Sequence, residues 1–252
     1  MGRVQCLTES WRANATRRPR RGQAGRSTVP ENITAAPDDQ FWFAQFRISE
    51  YPNFNQGVQF PQDATAQEQF FRTITSDTGA FDVKVVTDSM STLFDKTGDG
   101  VLVTHSAGGV IDWLTAIANP KVKGIVAYEQ DSFPFPEGEV PPTMTSAFGD
   151  VAPMKVSAEQ FAKLTKLPIV IYFGDFISDK PSDKQGENQW YIRMKLAKQW
   201  ADVVNKHGGN TKVVHLPKIG IKGNTHFPLS DLNNDKIADL MADWLKGNGL
   251  DK

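Results

Sequence analysis

Val101-Leu102-Val103-Thr104-His105-Ser106-Ala107-Gly108-Gly109 is the stretch on which the fold turns. Residues 100–104 form an apolar run of strand length, and residues 108–118 carry Val110, Ile111, Trp113, Leu114 and Ile117 at helical steps. Ser106 therefore stands where a buried strand bends into a helix. Further along the chain the rhythm repeats: strand-like runs at 124–128, 168–173 and 212–216 alternate with helical stretches at 188–206 and 234–245. In the longest of these, Trp190, Tyr191, Met194, Ala197, Trp200, Ala201 and Val204 recur at three- and four-residue steps, and Gly208 follows as a terminator. Strand and helix in alternation, with few polar residues in the strands, predict an α/β fold whose mostly parallel sheet is covered by helices on both faces.

Before residue 100 the pattern is weaker. Helices are expected at 64–75 and at 83–96, the second with Val86, Met90, Leu93 and Phe94 on one face. The stretch 41–60 is rich in aromatic residues but broken by Pro52 and Gly57, which predicts an irregular segment pinned by buried rings. Residues 1–40 hold Arg12, Arg17, Arg18, Arg20, Arg21 and Arg26 with no helical or strand period, and are expected to be a disordered arginine-rich tail. That leaves 41–252 as the folded domain.

Composition narrows the chemistry. Lys plus Arg (28) nearly balances Asp plus Glu (29) in the 252 residues, so no global field attracts nucleic acid or an anionic membrane. A small-molecule substrate is the expected partner. Cys6 is the single cysteine and forms no internal disulfide, and no residue spacing suggests a metal site or a cofactor. No run approaches the roughly 18–20 apolar residues of a membrane-spanning helix, and the first 26 residues lack the apolar core of a secretory signal. An arginine-rich, acid-poor start suits either an organelle transit peptide or a solvated tail; the tail is the preferred reading, and compartment and oligomeric state stay open.

The turn at Ser106 is similar to the G-x-S-x-G nucleophile elbow, in which small neighbours let a strained strand-to-helix bend close around an exposed serine hydroxyl. Gly108 fills the second small position, whereas Thr104 stands where the first glycine is usual. In such a turn the Ala107 amide begins the helix and can donate to a developing oxyanion. A serine hydroxyl needs a base, and the base needs an orienting carboxylate. His105 is placed wrongly for that role, His207 ends the long helix, and His215 falls in a strand. His226 lies in the glycine-rich loop before the last helix, at the edge where open α/β sheets place their sites. For the acid, Glu129 ends the strand after the nucleophile strand and Asp175 ends the next, so the residues alone leave the two in competition.

The Thr104 to Gly109 turn, the Val126-Ala127-Tyr128-Glu129 strand end and the Gly223-Asn224-Thr225-His226-Phe227-Pro228-Leu229-Ser230-Asp231-Leu232-Asn233-Asn234 run resemble a branch of microbial α/β-hydrolase serine esterases, over roughly residues 41–250. The resemblance implies an α/β-hydrolase fold, hydrolysis of carboxylic esters without a cofactor, Ser106 as nucleophile, His226 as base and Glu129 as acid. Asp175 then becomes a structural carboxylate. Relatives in that branch carry a complete N-terminal half with a loop for a second oxyanion donor, and here the N-terminal strands are expected to be missing or incomplete. The segment 130–156, with Phe133, Phe135 and a run of prolines, is expected to form a lid or pocket wall, and Phe133, Phe135 and Phe227 are the candidate substrate-binding side chains. Two rival readings stand beside the esterase: a non-catalytic hydrolase-like protein without a working oxyanion hole, and a lyase or cyclase that uses His226 on the same scaffold.

Overall fold

In the computed structural model the described residues are 3–6 (backbone only), 39–73, 82–145 and 149–251. They form seven strands, seven α-helices and two short 3-10 helices. A five-stranded sheet is built from β1 (Arg3–Cys6), β2 (Gly100–His105), β3 (Val122–Tyr128), β6 (Pro168–Phe173) and β7 (Asn210–His215), in that spatial order. Every pairing in it is parallel. β2 is buried along its whole length and β3 is buried but for Lys123, because helices cover both faces. On one side lie α3 (Val83–Thr97), α4 (Gly109–Ala118) and α6 (Gln185–Lys206), which close the main core around Phe94, Trp113, Trp200 and Val204. On the other, α7 (Asn234–Gly247) covers Val101, Val103, Val126 and Tyr172 with Ile237 and Leu245.

Each predicted strand and helix from residue 64 onward has a counterpart, with ends shifted by a few residues. Along α3 the buried positions are Thr87, Met90 and Phe94, while Leu93, expected on the same face, is exposed.

Two expectations need correction. Residues 3–6, placed in the tail, form β1 beside β2, because the parallel register Arg3↔Gly100 to Cys6↔Val103 satisfies the backbone groups that β2 would otherwise leave bare. The rest of the predicted tail up to residue 38 lies outside the described residues. The aromatic stretch from residue 41 opens as α1 (Asp39–Gln45) before it becomes irregular; Phe43, Ile48, Val58 and Phe60 bury together as a small separate core, against which Phe70 and Phe71 of α2 (Ala64–Thr73) pack. The segment 130–156 is bound down at its base. β4 (Pro134–Pro136) and β5 (Met154–Val156) pair parallel, and α5 (Ala158–Leu164), with its Ser157–Gln160 capping box, follows. Two indoles clamp the entry: Trp113 Nε1 donates to the Ser132 carbonyl at 2.9 Å and Trp200 Nε1 to that of Pro134 at 2.6 Å.

Candidate active site

Register brings the site together. β2 and β3 pair His105 with Tyr128, so the next residues, Ser106 and Glu129, leave the sheet side by side at its carboxyl edge. Both do so in the left-handed region, each with φ of 53°. A non-glycine residue held there costs on the order of 1–3 kcal/mol and persists only when its surroundings dictate it. After Ser106 the chain makes one 3-10 turn (Ser106–Gly108) and continues as α4, which places the Ala107 amide among those that lack an intrahelical acceptor.

His226 arrives from the loop after β7. Its Nε2 lies 2.9 Å from Ser106 Oγ, and its Nδ1 faces Glu129 Oε2 at 3.5 Å. All three side chains are buried, Ser106 retaining 7% exposure. The loop is braced from two sides. The His226 amide donates to the Phe46 carbonyl at 3.0 Å, and the Gln59 amide to that of Gly223 at 2.7 Å. The Asp231 carboxylate, almost fully buried, accepts from the Thr225 amide, the Thr225 hydroxyl and the Asn224 side chain. Burial pushes the Asp231 carboxyl up to about 6 against those donors. Aromatic rings sandwich the imidazole: Phe46 stacks on it at 4.9 Å and Trp190 lies 4.3 Å away, with Phe227 edge-on at 5.1 Å. Enclosure of this kind, together with the guanidinium groups of Arg47 and Arg193, lowers the His226 pKa well below the usual histidine value.

Glu129 divides its two oxygens. Oε1 accepts from Arg47 Nη2 at 2.7 Å and from the Gly174 amide at 2.5 Å, leaving Oε2 for the imidazole. Gly174 has to be glycine for this approach, since a Cβ there would lie 2.5 Å from the Thr225 carbonyl oxygen and 2.9 Å from Glu129 Oε1. Asp175 is employed otherwise. Its Oδ1 accepts the Phe176 amide and its Oδ2 the Gly223 amide, each at 2.8 Å, so it ties the end of β6 to the start of the His226 loop. His105, set aside as the base, donates through Nε2 to the His226 carbonyl at 2.5 Å. Burial first, and then its neighbour His226, press the His105 pKa down to about 3, which keeps the ring neutral for this role.

Phe227 lies at the site beside Phe46 and His105. Phe133 and Phe135 do not: both rings are fully buried in the main core, Phe133 against Trp113 and Trp200, and pack the fold instead of walling a pocket. Arg47 and Phe46 are site residues that no local pattern singles out.

A parallel sheet that presents a strained serine turn, a late-loop histidine and a strand-end carboxylate at one edge defines the α/β-hydrolase fold. Comparison with known proteins agrees. A bacterial esterase of solved structure superposes with a TM-score of 0.67 at 28% identity, over 89% of this chain and 62% of its own. A protein of Fungal sp. strain ATCC 74256 named "Probable secreted lipase phiG" is 26% identical over 188 residues, which is 64% of this chain and 49% of that protein. The chain thus spans about half the length of the curated relative it matches. No family model matches it.

Proposed function

We propose that this chain hydrolyses carboxylic esters through a serine acyl-enzyme. One observation carries the proposal: Ser106 Oγ on its strained turn lies within proton-transfer distance, 2.9 Å, of His226 Nε2. The Ser106 hydroxyl attacks the ester carbonyl carbon while His226 Nε2 takes its proton. The Ala107 amide donates to the carbonyl oxygen as it becomes an anion, and the imidazolium then protonates the leaving alcohol. Water, activated by the same imidazole, attacks the acyl-enzyme and releases the acid. Glu129 holds Nδ1–H toward itself and so fixes the tautomer in which Nε2 is the base, with Arg47 and Gly174 fixing the carboxylate in turn. Phe227 contributes an apolar surface beside the nucleophile, in keeping with an ester that carries an apolar group. The esterase and lipase named among the relatives support the same class of substrate.

Labelling with a fluorophosphonate probe tests the reading. Covalent modification that disappears in Ser106→Ala and in His226→Ala is the expected result. Absence of labelling in folded protein would leave the non-catalytic reading in its place, and product formation that survives Ser106→Ala would point to chemistry based on His226 alone.

A further inference from the structure

We infer that Asp112 is held as a neutral carboxylic acid and acts as the positioning residue that fixes the Ser106 turn and the Glu129 turn against each other. The inference rests on the triad proposed above. Asp112, in the first turn of α4, is fully buried, and no lysine, arginine or histidine among the described residues pairs with it. Its polar partners are Thr104 and Gln130. The Thr104 hydroxyl donates to Asp112 Oδ2, and Gln130 Nε2 donates to that same oxygen and to Thr104 Oγ1, each at 2.9 Å. Those bonds use every donor the three side chains possess. Asp112 Oδ1 and Gln130 Oε1 are left as buried acceptors with nothing to accept. An ionised carboxylate with one bare oxygen and no cation is unfavourable in a dry interior, and one added proton removes the charge. Burial pushes the carboxyl in that direction, well above its ordinary range.

The location of the triangle gives it a function. Thr104 lies two residues before Ser106, and Gln130 directly follows Glu129, so Asp112 joins the chain on either side of the two left-handed residues. This also accounts for the departure from the usual turn pattern: the threonine in place of the first glycine brings the hydroxyl that Asp112 holds. Gly109 completes the arrangement, because a Cβ there would fall 1.5 Å from Gln130 Oε1. Strained turns keep their geometry only when neighbours over-determine it, and a nucleophile displaced by about 1 Å loses roughly 100-fold in rate.

The test compares the full chain with Asp112→Asn and Asp112→Ala. The wild-type minus Asp112→Asn infrared difference spectrum at neutral pH is expected to show the carbonyl stretch of a protonated carboxyl. Asn, which copies the shape of the neutral acid, is expected to keep kcat within about 3-fold, whereas Ala lowers kcat by roughly 100-fold with KM little changed. Should Asp112→Ala fail to fold, Thr104→Val removes the hydroxyl at constant volume and is expected to lower kcat by about 10-fold. Carboxylate bands in place of the acid carbonyl overturn the inference, and so does an Asn variant as impaired as Ala. The infrared measurement needs no turnover, so an active enzyme with an ionised Asp112 sinks this inference alone. A protonated Asp112 in a chain that neither labels nor turns over sinks the hydrolase reading and the positioning role with it.

Discussion

Glu129 and Asp175 look equivalent in the sequence, each ending a buried strand at the same edge of the sheet. Their hydrogen bonds separate them. Both oxygens of Asp175 are occupied by backbone amides, whereas Glu129 keeps Oε2 for His226. Glu129→Gln is therefore expected to lower kcat by roughly 1,000- to 10,000-fold, as loss of a triad acid does. Asp175→Asn should keep most of the turnover and cost about 1–2 kcal/mol of stability through one weakened amide bond; steady-state kinetics and thermal melts on the two variants check this, and the reverse order would hand the role to Asp175. A second expectation concerns pH. As the proposed base, His226 would take up its proton in an enclosed site beside Arg47 and Arg193, which disfavours the imidazolium, so the acid limb of kcat/KM should lie below pH 6.5. Replacing Arg193 by Gln removes one of those cations and should move the limb upward. A limb at or above 6.5 in the wild type would mean that water reaches the ring. Ser106 and His226 were readable because each sits at a break in a strong period; Arg47 was not, because a buried ion pair to a residue 82 positions away leaves no local trace.

At the level of loops and strands, the His226 segment is held by backbone proximity that sequence patterns describe poorly. Gly223 has φ of 83°, and a Cβ on it would meet the Gly57 carbonyl oxygen at 2.1 Å. Gly223→Ala should consequently destabilise the fold by about 1–3 kcal/mol and lower kcat more than it raises KM, since the imidazole loses its placement while the rest of the site stays. Denaturant titration paired with steady-state kinetics measures both, and an Ala variant that behaves as wild type would show that the 46–59 segment does not brace this loop. The parallel strands were legible from their apolar runs, and the long α6 from its stripe of Trp190, Met194, Ala197 and Trp200. The short β4 and β5 were not, because three-residue strands among prolines carry no period, and what holds them is their pairing with each other and the indole bonds at the entry to β4. The same clamps explain why Phe133 and Phe135 were misread: an apolar proline-rich stretch looks like a pocket wall until its partners in the core are known.

For the molecule taken whole, buried ionisable groups around the site make stability depend on pH in a way that one variant isolates. The Asp231 carboxyl is raised to about 6 in the fold, above the value of roughly 3.9 expected in the unfolded chain. Over that interval the folded state holds the extra proton, so the contribution of Asp231 is fully present below about pH 4 and is lost as the pH rises through about 6. Asp231→Asn abolishes this dependence. Its stability relative to wild type should climb by on the order of 3 kcal/mol between pH 4 and pH 7 and then level off, as read from denaturant midpoints across that range. A difference that stays flat with pH would mean that the carboxylate is solvated. The doubly covered parallel sheet followed directly from alternation in the sequence; that β1 flanks β2 did not, because its four residues are set in a stretch with no pattern of its own.

Trp190 lies 4.3 Å from the His226 ring, close enough for an imidazolium to quench indole emission, while neutral imidazole does so poorly. The molecule thereby contains its own optical titrator. Emission assigned to Trp190 by subtraction of a Trp190→Phe spectrum should fall as the pH is lowered and His226 gains a proton, which reports the titration of that ring without any added dye.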